Sequence, residues 1–229
     1  MTDRPIIFSA PMVRALLAGR KTQTRRIIKT PPAPHHLGAW EVSTIGGSGV
    51  TDIRGRPVPE QTCLWHSRNG VIVMPRYAVG DRLYVREHWR VSSAQDNVPP
   101  RELSKDLTVE FVADRGGYFD GKHRQGMHMP RWASRLTLIL ELVKIEPLQS
   151  ISRDDAIAEG LEAFPQTFGA SAWGVDTLPE TAHRLDPAKA FAELWRSLHA
   201  KEGETWEDNP FVVALQFRVE RGNIDRLAG

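Results

Sequence analysis

The stretch "LLAGRKTQTRRII", residues 16–28, places a run of polar residues directly after an apolar helical turn. Apolar residues at three- and four-residue spacing precede this run, so the pattern predicts a helix that ends at Gly19. The β-branched residues that follow favour a strand, whose alternation puts Thr22, Thr24 and Arg26 on one face. A strand normally has an apolar face, but this one is polar on both sides. We therefore expect one of its faces to border a wet cavity.

The same stretch combines an amine, two hydroxyls and a guanidinium within six residues. Lys21 comes directly before Thr22, and Arg26 follows Thr24 by two positions. A lysine that is desolvated near other cations loses its proton more readily, and a neutral amine can activate a hydroxyl nucleophile. The alternative is that Lys21 only stabilises the helix C-terminus, where cations are favoured, or lies in a solvated loop. The residues alone leave acyl-transfer chemistry and a structural role both open.

Composition bounds the class of protein. The 229 residues are enough for one sizeable domain, and 41% hydrophobic with 25% charged residues is ordinary for a globular chain. Most of the 30 basic residues are Arg, which suits phosphates and base edges and leans weakly towards nucleotide ligands. The single cysteine, Cys63, excludes an internal disulfide framework and a thiolate zinc site. Because neither an 18-residue apolar run nor a secretory pattern occurs, we expect a cytoplasmic protein that is not bound to a membrane.

Alternating and helical patterns place the remaining elements. Strands are predicted at "RPIIFS", "VGDRLYVREHW", "SRLTLILELVKI" and "NPFVVALQFRVE", the third with Leu136, Leu138, Leu140 and Leu142 on one face. Helices are predicted after Ser9, from the Ser152 cap to Gly160, and from the Asp186 cap onwards. This order of elements predicts a small mixed α+β barrel.

Two segments interrupt this pattern. Residues 29–78 and about 162–185 are rich in Pro, Gly and Ser and show no sustained period, so we interpret both as insertions, the first with a hairpin at "RNGVIVM". The whole chain, 1–229, is then a single domain. None of the eight histidines, including the adjacent pair His35 and His36, has a spacing that compels a metal site. The sequence also lacks a phosphate loop, a dinucleotide fingerprint and a nucleophile elbow.

The pattern "LLAGRKTQTRR", followed by "VGDRLYVREHW", "DAIAEG" and "VVALQFRVE", resembles the ASCH domain family. The resemblance covers most of the chain apart from the two insertions, and its G-R-K-T-x-T-x-R core is specific. It implies a PUA-like mixed, mostly antiparallel β-barrel with flanking helices. The longer form, with "HMPRWASRLTLILELVKIEPLQSIS" and "FAELWRSL", is similar to ASCH proteins of phages and bacterial genomes.

The resemblance implies two functions of different class. Some small ASCH proteins are metal-independent amidohydrolases that remove the acyl group from N4-acetylcytidine and related N4-acylated cytosines with a Lys, a Thr and a Glu and no cofactor. Lys21 and Thr24 match the first two by their place in the motif, and Glu159 in "DAIAEG" is the best match for the third. Others are inferred to bind RNA as non-catalytic modules. Thr22 stays a rival nucleophile, and either Arg26 or a backbone N–H near Gly19 could stabilise the oxyanion.

A second cluster offers candidate substrate contacts. In "VREHW", Arg86 and Glu87 could form a structural ion pair, or Glu87 could accept from cytosine N4 while Trp89 stacks on the ring. Arg131, with Met129, Pro130 and Trp132, is expected at the rim of the cavity. Trp195 has helical spacing to Phe191 and Leu198 and is expected in the core.

Overall fold

A computed structural model describes residues 2–31, 38–114, 116–118, 120–165 and 171–227 of the protein. His35 and His36 and part of each predicted insertion lie outside the described residues. Within these ranges the chain forms three α-helices, α1 (Ala10–Leu17), α2 (Arg153–Ala158) and α3 (Pro187–Leu198). The strands are β1 (Asp3–Ile7), β2 (Gln23–Ile27), β3 (Trp40–Ile45), β4 (Gln61–His66), β5 (Ile72–Val73), β6 (Arg82–Arg86), β7 (Trp89–Arg90), β8 (Glu110–Phe111), β9 (Leu136–Pro147), β10 (Glu162–Pro165), β11 (Ser171–Gly174) and β12 (Phe211–Arg221). The predicted α+β class is confirmed.

A five-stranded sheet in the order β1-β6-β9-β12-β2 organises the molecule. β1 runs parallel to β6, and the other neighbours are antiparallel. Leu136, Leu138 and Leu140 of β9 are buried on one face, as their alternation predicts. Leu142 was expected to join them but is 42% exposed, because the ladder with β12 shifts register between Gln216 and Phe217. A one-residue shift turns the following side chains to the opposite face.

The sheet remains open within the described part of the chain. β1 and β2 are its two edge strands, and no backbone ladder joins them there. A side chain bridges the gap instead, since the Arg26 Nη2 donates a hydrogen bond to the Ile7 carbonyl oxygen at 3.1 Å. The expected closed barrel is therefore not confirmed, although a side chain of one edge strand of the sheet reaches the other edge strand.

The three helices end where their sequences indicate. α1 stops before Gly19, whose φ of +72° is a left-handed conformation that glycine adopts at low cost. The Ser152 hydroxyl caps α2 by accepting from the Asp155 N–H, and the Asp186 carboxylate caps α3 by accepting from the Ala188 N–H. Ser9 has the extended backbone of a cap but makes no capping bond. None of these helices, within the described ranges, is long and apolar enough to cross a membrane.

Apart from one predicted hairpin, the two segments interpreted as insertions contain regular structure that their composition did not indicate. β3, β4 and β5 form a separate antiparallel sheet, and β10 pairs with β11. The predicted hairpin is confirmed as β4 and β5, which turn at Gly70 with a φ of +67°. This sheet contacts the central one through the Thr62 hydroxyl, which accepts from the Ile145 N–H at 3.1 Å.

Candidate functional site

A cavity of about 620 Å³ lies between the two edge strands of the central sheet. β1 forms one wall, β2 forms the second, and the C-terminal half of α3 forms the third. The cavity is apolar along α3 and polar along β2. Its charged or hydroxyl-bearing lining residues are Ser9, Lys21, Thr24, Arg25, Arg26, Lys29, Tyr77, Glu159, His199 and Glu204.

Lys21 and Glu159 form a buried ion pair on this lining. The Lys21 Nζ donates to the Glu159 Oε2 at 2.8 Å and also to the Glu159 backbone oxygen at 2.8 Å. The side chains are 1% and 5% exposed, respectively. Glu159 is the C-terminal cap residue of α2, so the ammonium also meets the negative end of that helix. The structure thus joins two residues that are 138 positions apart.

The pKa of Lys21 is lowered, because burial removes water from the ammonium. The positive charges of Arg26 and Arg25 act in the same direction, while Glu159 opposes them. A lysine with a lowered pKa holds an unprotonated amine at a lower pH than an exposed one does. Lys21 is therefore a candidate general base.

Thr24 lines the same cavity and is itself 1% exposed. The Thr24 Oγ1 accepts a hydrogen bond from the Arg26 Nη1 at 2.9 Å. Because that bond uses an oxygen lone pair, the hydroxyl proton stays available to a base, and the guanidinium favours negative charge on the oxygen. Thr22 is half-buried and does not line the cavity, although strand parity places it on the same face as Thr24.

Arg25 is a site residue that the sequence analysis did not select. It lies on the opposite face of β2 from Thr24, yet its guanidinium also reaches Glu159, with its Nη1 3.2 Å from the Glu159 Oε1. Its Nη2 donates to the Glu146 Oε1 at 2.7 Å. A signal was available, because Glu146 is an acid near the end of the long apolar run of β9, and a buried acid requires a cation.

The wall formed by α3 carries two stacked rings. Trp195 was expected in the core, and it is 4% exposed there while also lining the cavity. The His199 ring stacks on the Trp195 indole with centroids 4.0 Å apart and planes 15° apart. Burial lowers the pKa of His199, which favours the neutral ring. Sequence spacing did not reveal this wall, because His199 follows the last turn of the helix.

The other candidate substrate contacts lie away from this cavity. Glu87 forms a bidentate ion pair with Arg135 at 2.9 and 3.0 Å, and Trp89 is fully buried in a separate apolar cluster. Arg86 donates to the Met127 carbonyl oxygen at 3.2 Å. Arg131 bonds Asp3 and Asp225 on the surface. None of these four residues lines the described cavity, so we leave them out of the candidate site.

Comparison with models of known families, with curated proteins and with solved structures finds no match. The site must therefore be interpreted from its own chemistry. Among the described residues, no group of three or more His, Cys, Asp or Glu side chains could hold a metal ion. What the cavity does contain is an amine of lowered pKa, a carboxylate bound to it, and a hydroxyl bound to a guanidinium.

Proposed function

We propose that the protein is a metal-independent amidohydrolase of the ASCH type, which removes the acyl group from N4-acylated cytosine or cytidine. One observation carries the proposal: the buried Lys21–Glu159 pair, joined at 2.8 Å, lines the same cavity as Thr24. This is the Lys, Thr and Glu set that the sequence resemblance implies. A volume of about 620 Å³ is within the range of small-molecule sites and suits a nucleoside.

In the first half of the reaction, the neutral Lys21 amine takes the Thr24 hydroxyl proton as the oxygen attacks the acyl carbonyl carbon. The C–N4 bond then breaks, and the proton passes from Lys21 to the leaving N4 amine, either directly or through Glu159. Cytidine leaves, and the acyl group stays as an ester on Thr24. In the second half, water gives a proton to Lys21 and attacks the ester, and Thr24 regains its proton as the carboxylic acid departs.

Arg26 is the group best placed to stabilise the oxyanion. Its Nη1 already lies 2.9 Å from the nucleophilic oxygen. The alternative donors near Gly19 are occupied, because the N–H groups of Gly19 and Arg20 bond to the carbonyl oxygens of Leu16 and Ala15. A preorganised donor of this kind contributes about 10²- to 10³-fold to turnover.

The test is incubation of the purified protein with N4-acetylcytidine, following the ultraviolet spectral change to cytidine. Wild type should turn over, whereas Lys21→Met, Thr24→Val and Glu159→Gln should lose at least about 10²-fold in kcat. Thr24→Ser keeps a hydroxyl and should retain part of the activity. Thr22→Val is the matched control, because it removes an equivalent hydroxyl that does not line the cavity.

Two results would contradict the proposal. Full activity in Thr24→Val would move the nucleophile to Thr22 or to water. Absence of turnover on every N4-acylated cytosine would rule out this hydrolase. If micromolar RNA binding that weakens steeply with salt accompanied that absence, the non-catalytic binding module would replace the enzyme.

A further inference from the structure

Arg25 holds the side of the Glu159 carboxylate that Lys21 leaves free. The Glu159 Oε2 accepts from the Lys21 Nζ at 2.8 Å, while the Oε1 accepts from the Arg25 Nη1 at 3.2 Å. All three side chains are 5% exposed or less. Since the two cations bind different oxygens, the carboxylate cannot rotate away from Lys21 without losing a buried charge-assisted hydrogen bond.

The rest of the guanidinium is anchored to three other groups. Its Nη1 donates to the Gln23 Oε1 at 2.6 Å, and its Nη2 donates to Glu146 at 2.7 Å and to Asp155 at 3.2 Å. These partners lie on β2, β9 and α2, so Arg25 ties β9 to the strand that follows Lys21 and to the helix that ends at Glu159. An arginine held at both ends of its fork is fixed in orientation.

We propose that Arg25 is a positioning residue of this site, whose guanidinium fixes the Glu159 carboxylate against Lys21 and sets a permanent positive charge behind the pair. The catalytic role of Arg25 rests on the proposed function. Its effect on the proton shared by Lys21 and Glu159 does not, because that proton can be titrated without any substrate. Gln23 and Arg25 occupy the two positions that the G-R-K-T-x-T-x-R pattern leaves open, so they add a layer to the site that the motif does not specify.

The charge of Arg25 contributes to the pH at which the pair loses its proton. When one proton leaves, the pair changes from neutral to a single negative charge, whichever of the two groups held the proton. A cation beside the pair favours that negative state and so lowers the pKa of Lys21. The other charged or titratable groups around the pair and Arg25 are Arg26 on β2, Glu146 and its exposed partner Lys144 on β9, Asp155 on α2, His199 after α3, and Tyr77.

The test measures this protonation directly. Protein labelled with ¹³C at the lysine Cε carbon gives one signal for each of the seven lysines, and Lys21→Met identifies the signal of Lys21. Arg25→Gln removes the charge, so the Lys21 midpoint should move to higher pH. Arg25→Lys restores a positive charge and should return the midpoint towards the wild-type value. Arg82→Met is the matched control: it removes another strand arginine with a bidentate carboxylate partner, and should leave the Lys21 midpoint unchanged.

A second variant keeps the test decisive if Arg25→Gln does not fold. Asp155 is 32% exposed, so Asp155→Asn removes one anion beside Arg25 with less risk to the fold. It should move the Lys21 midpoint to lower pH, opposite to Arg25→Gln. If Arg25→Gln folds and its Lys21 midpoint is unchanged, the inference is overturned. If only Asp155→Asn folds, an unchanged Lys21 midpoint in that variant overturns it.

Kinetics then separate positioning from simple support of the fold. For Arg25→Gln acting on N4-acetylcytidine, we expect the acidic limb of kcat to move to higher pH with KM unchanged, so that activity recovers as pH rises. Loss of kcat by the same factor at every pH would assign Arg25 a structural role only. The two proposals fail differently: lack of wild-type turnover contradicts the hydrolase, while an unshifted Lys21 midpoint contradicts the role of Arg25.

Discussion

Replacing Lys21 and Glu159 singly and together tests whether their pair is desolvated, as its burial indicates. Glu159→Gln leaves the Lys21 ammonium, which is 1% exposed, with only the backbone oxygen at 2.8 Å, and leaves Arg25 facing it. Breaking a buried ion pair from one side costs about 3–5 kcal/mol, so we expect a loss of that size in the free energy of unfolding. Lys21→Met should fall at the lower end of the range, about 3 kcal/mol, because Arg25 still compensates Glu159.

The double variant Lys21→Met/Glu159→Gln removes both charges from the site. A buried pair replaced as a whole can be nearly neutral for stability, because the desolvation penalty disappears with the attraction. We therefore expect the double variant to be more stable than the sum of the single losses implies, by about 2 kcal/mol. The assay is urea unfolding at neutral pH, followed by tryptophan fluorescence and far-ultraviolet circular dichroism. Additivity of the two single losses within about 0.5 kcal/mol would refute the claim that the pair is buried and coupled.

Other parts of the structure make three further predictions. Gly160→Ala should cost about 1–2 kcal/mol of unfolding free energy, because Gly160 has a φ of +100° and a Cβ there would lie 3.1 Å from the Lys21 Cβ; a cost near zero in urea unfolding would contradict this. Trp89→Ala should cost about 3–5 kcal/mol by the same measurement, since Trp89 is 0% exposed, and a cost typical of surface residues would contradict the core placement. The hydrogen bond from Arg82 lowers the pKa of Asp3 below its ordinary 3.8, so the stability it adds is present above that value and is lost as pH falls through the lowered pKa. The difference in unfolding free energy between wild type and Asp3→Asn should therefore shrink as pH falls below about 4, and a difference that stays constant with pH would contradict this expectation.

Local signals in the sequence predict the elements that carry the site. The helix stop at Gly19, the capped starts at Ser152 and Asp186, and the alternation of β9 each depend on neighbours within a few residues. Such signals act through backbone conformation and helix caps, so they can be recognised in the sequence without knowledge of the tertiary fold. The polar strand after Gly19 indicated a wet cavity for the same reason, and the structure has a cavity beside that strand.

The partners of the buried charged residues depend on contacts between distant parts of the chain, which no local pattern in a single sequence encodes. Arg25 alternates away from Thr24, so parity argues against both facing one site; only the approach of Glu146 and Glu159 from other elements makes it part of the network. Glu87 shows the same dependence: the sequence left a structural ion pair open for it, but its partner is Arg135, 48 residues further along the chain, rather than the adjacent Arg86. Which residue pairs with a buried charge is therefore decided by the tertiary fold.

The position of the cavity follows from the open edge of the sheet. A central strand has both backbone sides in a ladder, so neither side leaves room for a ligand, whereas an edge strand has a free side that must be covered or used. Here β1 and β2 are both edges, and Arg26 spans them by bonding the Ile7 carbonyl oxygen, while α3 covers the gap with Phe191 and Trp195. β2 can therefore carry polar residues beside the gap without replacing apolar residues that the sheet would bury there. The gap is lined by edge backbone and by a helix, so Thr24 and Arg26 of β2 border a cavity. Lys21, just before β2, is withdrawn from water at the same place, and this burial lowers its pKa.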